Sequence, residues 1–147
     1  IIIYDIYIIK MKNDNVYISK SKIINAGKGV FSKKYIKKGI KLGEYQGVYY
    51  LVNNNLDEIY DDIYEKSGTD EYVMLITDKK GKEYAIIDGA RNGNWVRFIN
   101  GAKTKEQFAL VNCEFYQYNK KMYLKSTKSI EKNEELIIDY GGRYVWN

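Results

Sequence analysis

The sequence predicts a mostly-β domain of short, irregular strands carrying one modest helix. Three observations predict it. Runs of β-branched and aromatic residues such as Val16-Tyr17-Ile18 and Ile137-Ile138 are brief and closely spaced. Glycine- and asparagine-bearing turns at Gly27-Lys28-Gly29, Gly39, Gly81, Gly89 and Asn119 punctuate them. Only residues 56–66 place apolar side chains at helical spacing. With 147 residues the chain is long enough for one domain with a real core and too short to divide comfortably.

The chain opens on Ile1-Ile2-Ile3-Tyr4-Asp5-Ile6-Tyr7-Ile8-Ile9. That run is too short for a membrane span, carries Asp5, and lacks the basic front and cleavage site of a signal peptide. It reads as a buried or paired strand, and the start Ile1 in place of Met reads as a processed or excerpted chain. Val16-Tyr17-Ile18 and Ile23-Ile24 follow as strands, with Asn25 leading into the turn Ala26-Gly27-Lys28-Gly29. Glycines there permit positive φ or close approach of a ligand to the backbone. Val30-Phe31 resumes extended structure, and Glu44-Tyr45-Gln46-Gly47-Val48-Tyr49-Tyr50 reads as one strand with a glycine inside it.

Asn55 is placed to cap the helix, whose buried stripe is Leu56, Ile59, Tyr60 and Ile63, and Gly68 to end it. The other face, Asp57, Glu58, Asp61, Asp62 and Glu65, is the one acidic zone in a basic protein. Residues 72–77 and 83–87 form a hairpin across 78–82. After the turn Asp88-Gly89 comes an apolar strut, Asn94-Trp95-Val96-Arg97-Phe98-Ile99-Asn100. An arginine buried in such a segment must be paired, and Asp88 is the available carboxylate. A polar loop over 102–107, a hairpin of 110–118 with 122–126 across Asn119-Lys120-Lys121, and a last strand Ile137-Ile138-Asp139 complete the chain.

Absent residues exclude chemistry. No histidine means no imidazole base and no histidine metal ligand, and a single cysteine, Cys113, forms neither a disulfide framework nor a cysteine-rich zinc site. Cys113 reads as a small core residue in a reducing compartment. The formal net charge of +5 invites a nucleic-acid partner. The lysines, however, come in scattered pairs at turns (Lys33-Lys34, Lys37-Lys38, Lys79-Lys80, Lys120-Lys121), which reads as solvated loop tips, so no direct nucleic-acid partner is expected.

Four ordered segments carry a resemblance: Ala26-Gly27-Lys28-Gly29-Val30-Phe31; Gly43-Glu44-Tyr45-Gln46-Gly47; Ile87-Asp88-Gly89 through Asn94-Trp95-Val96-Arg97-Phe98-Ile99-Asn100; and Glu134-Glu135-Leu136 with Asp139-Tyr140-Gly141. Together they resemble the SET domain family of lysine methyltransferases, and more closely its PR-type branch. Each motif alone is weak; four in order are strong. The resemblance implies a single domain over residues 1–147, with 1–22 an N-terminal strand extension and 23–144 the SET core. It also implies a β-clip-like fold of several small sheets with a C-terminal pseudoknot.

It further implies methyl transfer from S-adenosylmethionine to a lysine of a protein, a histone tail being the expected substrate and the nucleus the expected location. No metal and no membrane are expected. The backbone at Ala26, Gly27, Lys28 and Gly29 would hold the methionine part of the cofactor, with Tyr72, the Asn100 side chain and the Gly101 main chain as further contacts. Trp146 would fold over the adenine, or act as a packed terminal anchor. Tyr140 is the expected catalytic tyrosine, and Tyr45 and Tyr123 match positions lining the lysine channel. One departure stands out: where most SET domains follow the asparagine with histidine, this chain has Gly101. The PR-type branch shares that departure and contains both active members and binding modules, so a catalytically weak interaction domain is the alternative reading.

Overall fold

The protein is described here by a computed structural model covering residues 15–53 and 55–139. In chain order the elements are β1 (Val16–Lys20), β2 (Lys28–Ser32), β3 (Lys41–Glu44), β4 (Val48–Leu51), α1 (Leu56–Ser67), β5 (Val73–Thr77), β6 (Glu83–Asp88), a 3-10 turn (Trp95–Phe98), β7 (Asn100–Ala102), α2 (Lys105–Phe108), β8 (Cys113–Tyr118), β9 (Lys121–Ser126) and β10 (Ile137–Asp139). The strand expected over residues 1–9 lies outside the described residues.

The strands form three small sheets, as the SET-type expectation requires: β1-β2, β3-β9-β8-β10-β7 and β4-β6-β5. β10 pairs in parallel with both β7 and β8 and so closes the five-stranded sheet with a late segment of chain. The main core joins the sheets through Val30, Leu42, Met74, Ile87, Trp95, Leu124 and Leu136. A second cluster, Ile59, Ile63 and Ile86, seats α1 on the β4-β6-β5 sheet.

α1 forms where its local signals place it. Asn55 accepts from the backbone N–H groups of Asp57 at 3.0 Å and Glu58 at 3.4 Å. Gly68 closes the helix in the left-handed conformation at φ 73°, donating its N–H to Tyr64 O. The hairpin β8-β9 likewise turns through Asn119 and Lys120, at φ 48° and 61°.

Four expectations are corrected. Ile23-Ile24 is a turn rather than a strand; Ala26 N donates back to Ile23 O at 3.2 Å, and Ile24 stands in solvent. Residues 44–50 split at Tyr45-Gln46-Gly47, so β3 and β4 belong to different sheets. A side chain at position 47 would lie 2.6 Å from the Asp88 carbonyl carbon, so glycine allows β4 to cross β6 at that point. The strut at 94–100 is a 3-10 turn capped by Asn94, whose side chain accepts from Val96 N and donates to Glu44 O at 2.8 Å. In the loop at 102–107, Thr104 and Gln107 form a capping box that starts α2.

Candidate functional site

The loop joining β1 to β2 is built to leave its backbone accessible. Gly27 adopts φ 71° and Asn25 φ 65°, and Ser21 N donates to Gly27 O at 2.8 Å. Gly29, at the start of β2, lies against a buried carboxylate. Glu135 Oε1 accepts from the Ser21 hydroxyl at 2.6 Å, and its Oε2 accepts from Lys22 N at 2.9 Å. Asn100 donates its side-chain amide to Lys28 O at 2.8 Å and reaches Glu135 Oε1 at 3.4 Å. Asn100 thus ties β7 to the glycine loop.

Around this loop lies a cleft of about 620 Å³. Ala26, Gly27, Lys28 and Asn100 line it, together with Tyr72, Arg97, Phe98, Lys103 and Glu71, over a floor of Tyr45, Met74, Phe115 and Ile138. Lys28 Nζ lies 5.7 Å from the Phe98 ring centre, and the Arg97 guanidinium lies 4.6 Å from Phe98 and 5.5 Å from Tyr72. Three cations and one carboxylate therefore share the lining with aromatic faces.

The sequence expectation for Arg97 is corrected in its partner. Arg97 Nη1 donates to the carbonyls of Gly89 at 3.1 Å and Ala90 at 3.0 Å. Asp88, fully buried, instead accepts from Arg91 Nε at 3.3 Å, from Ala90 N at 3.1 Å and from the Ser67 hydroxyl. Three residues separate Arg91 from Asp88 around a turn, so the nearer arginine takes the carboxylate.

Tyr45 is buried and occupies the junction of two concavities. Its hydroxyl donates to Tyr72 O at 2.5 Å, and its ring meets Phe115 edge-on at 5.9 Å. Besides the cleft it lines a second hollow of about 550 Å³ with Glu44, Gln46, Tyr49, Asn92 and Lys121.

Tyr123 does not join this group. Along β9 the buried residues are Met122, Leu124 and Ser126, so Tyr123 points to the opposite side, where its ring lies 5.6 Å from Tyr116 and Lys41 Nζ lies over it at 4.7 Å. Phe115, which the sequence did not single out, holds the place beside Tyr45. Gly101 is buried in β7, an edge strand whose one partner among the described residues is β10. Tyr140 and Trp146 lie outside the described residues.

Sequence reasoning also missed Asn112. Fully buried, it donates to Glu134 Oε2 at 2.8 Å and Glu135 O at 2.9 Å, and accepts from Ile137 N at 2.9 Å. It fixes the chain leading into β10 and so towards position 140. A polar residue inside an apolar context was its only sequence signal. Cys113 is buried, and desolvation followed by the Glu134 charge pushes its thiol far above the ordinary range, so it is no nucleophile. Among the described residues no group of acidic or sulfur ligands is arranged to hold a metal ion.

This combination of small sheets, late parallel strand and glycine loop is the fold of SET domains. The SET domain of ATXR5 in complex with histone H3 matches with a TM-score of 0.67 at 24% identity over 90% of this chain and 60% of that one. A chain of ctPRC2, in an autoinhibited conformation bound to S-adenosylmethionine, matches at 0.66 and 22% identity over 88% and 15%. A family model for the PR domain of PR domain zinc finger protein 2 matches residues 16–146, and the chain belongs to the PR domain family.

Among relatives, the histone-lysine N-methyltransferase set-17 of Caenorhabditis elegans is 33% identical over 86% of this chain. PR domain zinc finger protein 14 of Mus musculus is 30% identical over 79%. The chain spans 41% of the nematode relative and 18% of the mouse one.

Proposed function

We propose that this chain is an S-adenosylmethionine-dependent protein-lysine N-methyltransferase acting on a histone lysine. The observation that carries the proposal is the position of Tyr45 between a cationic, aromatic cleft and a second hollow. A methyl donor and a lysine side chain entering from opposite sides would meet there.

The cleft residues fit the cofactor chemically. Lys28, Arg97 and Lys103 suit the carboxylate of its methionine part, and the faces of Tyr72 and Phe98 suit a flat base or a sulfonium. The glycine loop offers backbone groups without a Cβ in the way, and Gly101 on an edge strand is assigned the main-chain contact to the adenine. When bound, S-adenosylmethionine supplies an electrophilic methyl, so neither a metal nor a protein nucleophile is required.

The protein's own task is to present a neutral amine in line with that methyl. The ring of Tyr45, which also lines the second hollow, sheaths the aliphatic stem of a lysine and strips water from its head, which favours the uncharged amine. Tyr140, next after Asp139 at the end of β10, is assigned the hydroxyl that orients the amine as positive charge moves onto nitrogen. Asn112 and Glu135, by pinning the chain before β10 and the glycine loop, are assigned positioning roles. A histone substrate would put the protein in the nucleus.

The second reading, a PR-type interaction domain with little turnover, draws on Gly101 standing where most SET domains have histidine. Calorimetric titration with S-adenosylmethionine, followed by radiolabelled methyl transfer to a histone panel, separates the two. The enzyme binds the cofactor and labels a lysine, and Tyr140→Phe abolishes most of the label. Binding without label supports the second reading. Label that Tyr140→Phe leaves intact overturns the assignment of Tyr140.

A further inference from the structure

The Arg97 guanidinium in the cleft is aimed by two backbone carbonyls. Its Nη1 donates to Gly89 O at 3.1 Å and Ala90 O at 3.0 Å, while its charge lies over the rings of Phe98 and Tyr72. Such a clamp aims the side chain only if the carbonyls stay in place, and both belong to the turn after β6, outside any strand. Gly89 is seated by its neighbours. Its N–H donates to Tyr72 O at 2.9 Å, and a side chain at position 89 would lie 3.0 Å from the Tyr45 ring. A side chain at position 93 would lie 3.0 Å from the Gly89 carbonyl carbon and 3.3 Å from Arg97 Cδ. Glycine at both positions lets the turn close between Tyr45 and Arg97.

Ala90 is held through side chains. Its N–H donates to Asp88 Oδ1 at 3.1 Å, and Asp88 is fully buried, so this half of the clamp depends on how that carboxylate is fixed. Arg91 fixes it. Its Nε donates to Asp88 Oδ2 at 3.3 Å and to Ser67 Oγ at 2.9 Å, and the Ser67 hydroxyl donates to the same Asp88 oxygen. Its Nη2 donates to the Tyr50 hydroxyl, which in turn donates to Asp62 Oδ2 at 2.8 Å. One planar fork therefore joins the turn to β4 through Tyr50 and to α1 through Ser67 and Asp62. Arg91 itself is not among the residues that line the cleft.

We propose that Arg91 is a positioning residue for the cofactor. It fixes the Asp88-Gly89-Ala90 turn, whose carbonyls aim Arg97 at the carboxylate of the methionine part of S-adenosylmethionine. The inference rests on the methyltransferase reading above and assigns that reading a residue outside the cleft. Charge balance alone would not call for this arrangement. A lysine would neutralise Asp88 as a point charge, whereas only a planar fork reaches Asp88, Ser67 and Tyr50 together and so sets the orientation of the turn. A long cation ordered before the ligand arrives loses less freedom on binding it, so the clamp on Arg97 turns into affinity.

The test is a double-mutant cycle on the full chain, read as the Kd for S-adenosylmethionine by calorimetry well below the melting temperature of each variant. Arg91→Met should weaken binding about tenfold, the worth of one hydrogen bond to a charged group. Arg97→Met should weaken it by about the same factor, which titration at higher ligand concentration still reads. In the Arg97→Met background, Arg91→Met should change affinity less than about twofold, because the side chain through which it acts is gone. Should Arg91→Met fold poorly, Arg91→Lys keeps a charge beside Asp88 and carries the same cycle, with an expected loss of about threefold. An equal loss in both backgrounds would show a general loosening of the fold and overturn the proposal. So would an Arg91 or Arg97 variant that binds like wild type, with the methyltransferase reading left standing. A wild type that binds no S-adenosylmethionine would overturn that reading and this inference together.

Discussion

Gly29 faces the Glu135 carboxylate, and replacing it with alanine tests how the glycine loop is held. The added methyl would sit 3.0 Å from Glu135 Cδ and 3.3 Å from Asn100 Nδ2, with the carboxylate oxygen nearer still. A carboxylate at the end of a side chain can swing away cheaply on a surface, but this one is buried and held by Ser21 at 2.6 Å and Lys22 N at 2.9 Å. Losing two hydrogen bonds to a charged group at about 1.5 kcal/mol each gives about 3 kcal/mol, the upper end of what overpacking costs. An unfolding entropy of about 2.1 cal/mol/K per residue turns that into a fall in Tm of about 10 °C for a chain of this length.

Thermal melts read that fall directly, and calorimetry with S-adenosylmethionine reads the loop through weakened affinity. Glu135→Ala as a second background isolates the cause. There Gly29→Ala should cost only about 1 kcal/mol, leaving a coupling of about 2 kcal/mol. A fall in Tm under about 2 °C in the wild-type background, or equal cost in both backgrounds, would refute the reasoning.

Gly47→Ala should be at least as damaging, about 3 kcal/mol by denaturant unfolding, because its methyl would meet the Asp88 backbone, which no rotamer change relieves. Tyr45→Phe removes the donor to Tyr72 O and should cost about 1 kcal/mol while raising the KM for a lysine peptide. For Cys113, the unfolded thiol ionises near 9.0 while the folded one stays protonated well above it, so stability is full below that pH and falls as pH rises past it. Between pH 8 and 10 wild type should lose about 1.4 kcal/mol more than Cys113→Ala in urea titrations, and a constant difference would contradict this. The acidic face of α1 is expected to attract basic tails. Asp57→Lys with Asp61→Lys should raise the KM for a basic peptide at 50 mM salt and have little effect at high salt. Asp62 is left in place there because it accepts from Tyr50 at 2.8 Å and pairs with Lys66 at 3.1 Å.

Where structure is decided within a few residues, the sequence was readable. α1 needs only its Asn55 cap, its Ile59 and Ile63 stripe and Gly68, all within one stretch of chain. The hairpins were readable for the same reason, and the four motifs were legible as an ordered set. Ile23-Ile24 misled because β-branched residues fit a strand, yet Ile24 buries nothing and the chain must turn to bring Gly27 beneath Ser21 N. Residues 44–50 misled because nothing local reveals that Asp88 will press against Gly47 from a distant strand.

By itself, then, the sequence determined the class of fold, the position of the helix and the exclusion of histidine and disulfide chemistry, because these follow from composition and short-range pattern. Tertiary structure decided which aromatic packs against Tyr45 at the cleft: Phe115 meets its ring, while strand alternation points Tyr123 to the other side of β9. It also decided that Asp88 takes Arg91 rather than Arg97, and that Ile36 and Ile130, nearly a hundred residues apart, bridge the link after β2 to the segment after β9. Such pairings are set by which strands become neighbours, and that depends on burying the whole core at once rather than on any one stretch of chain.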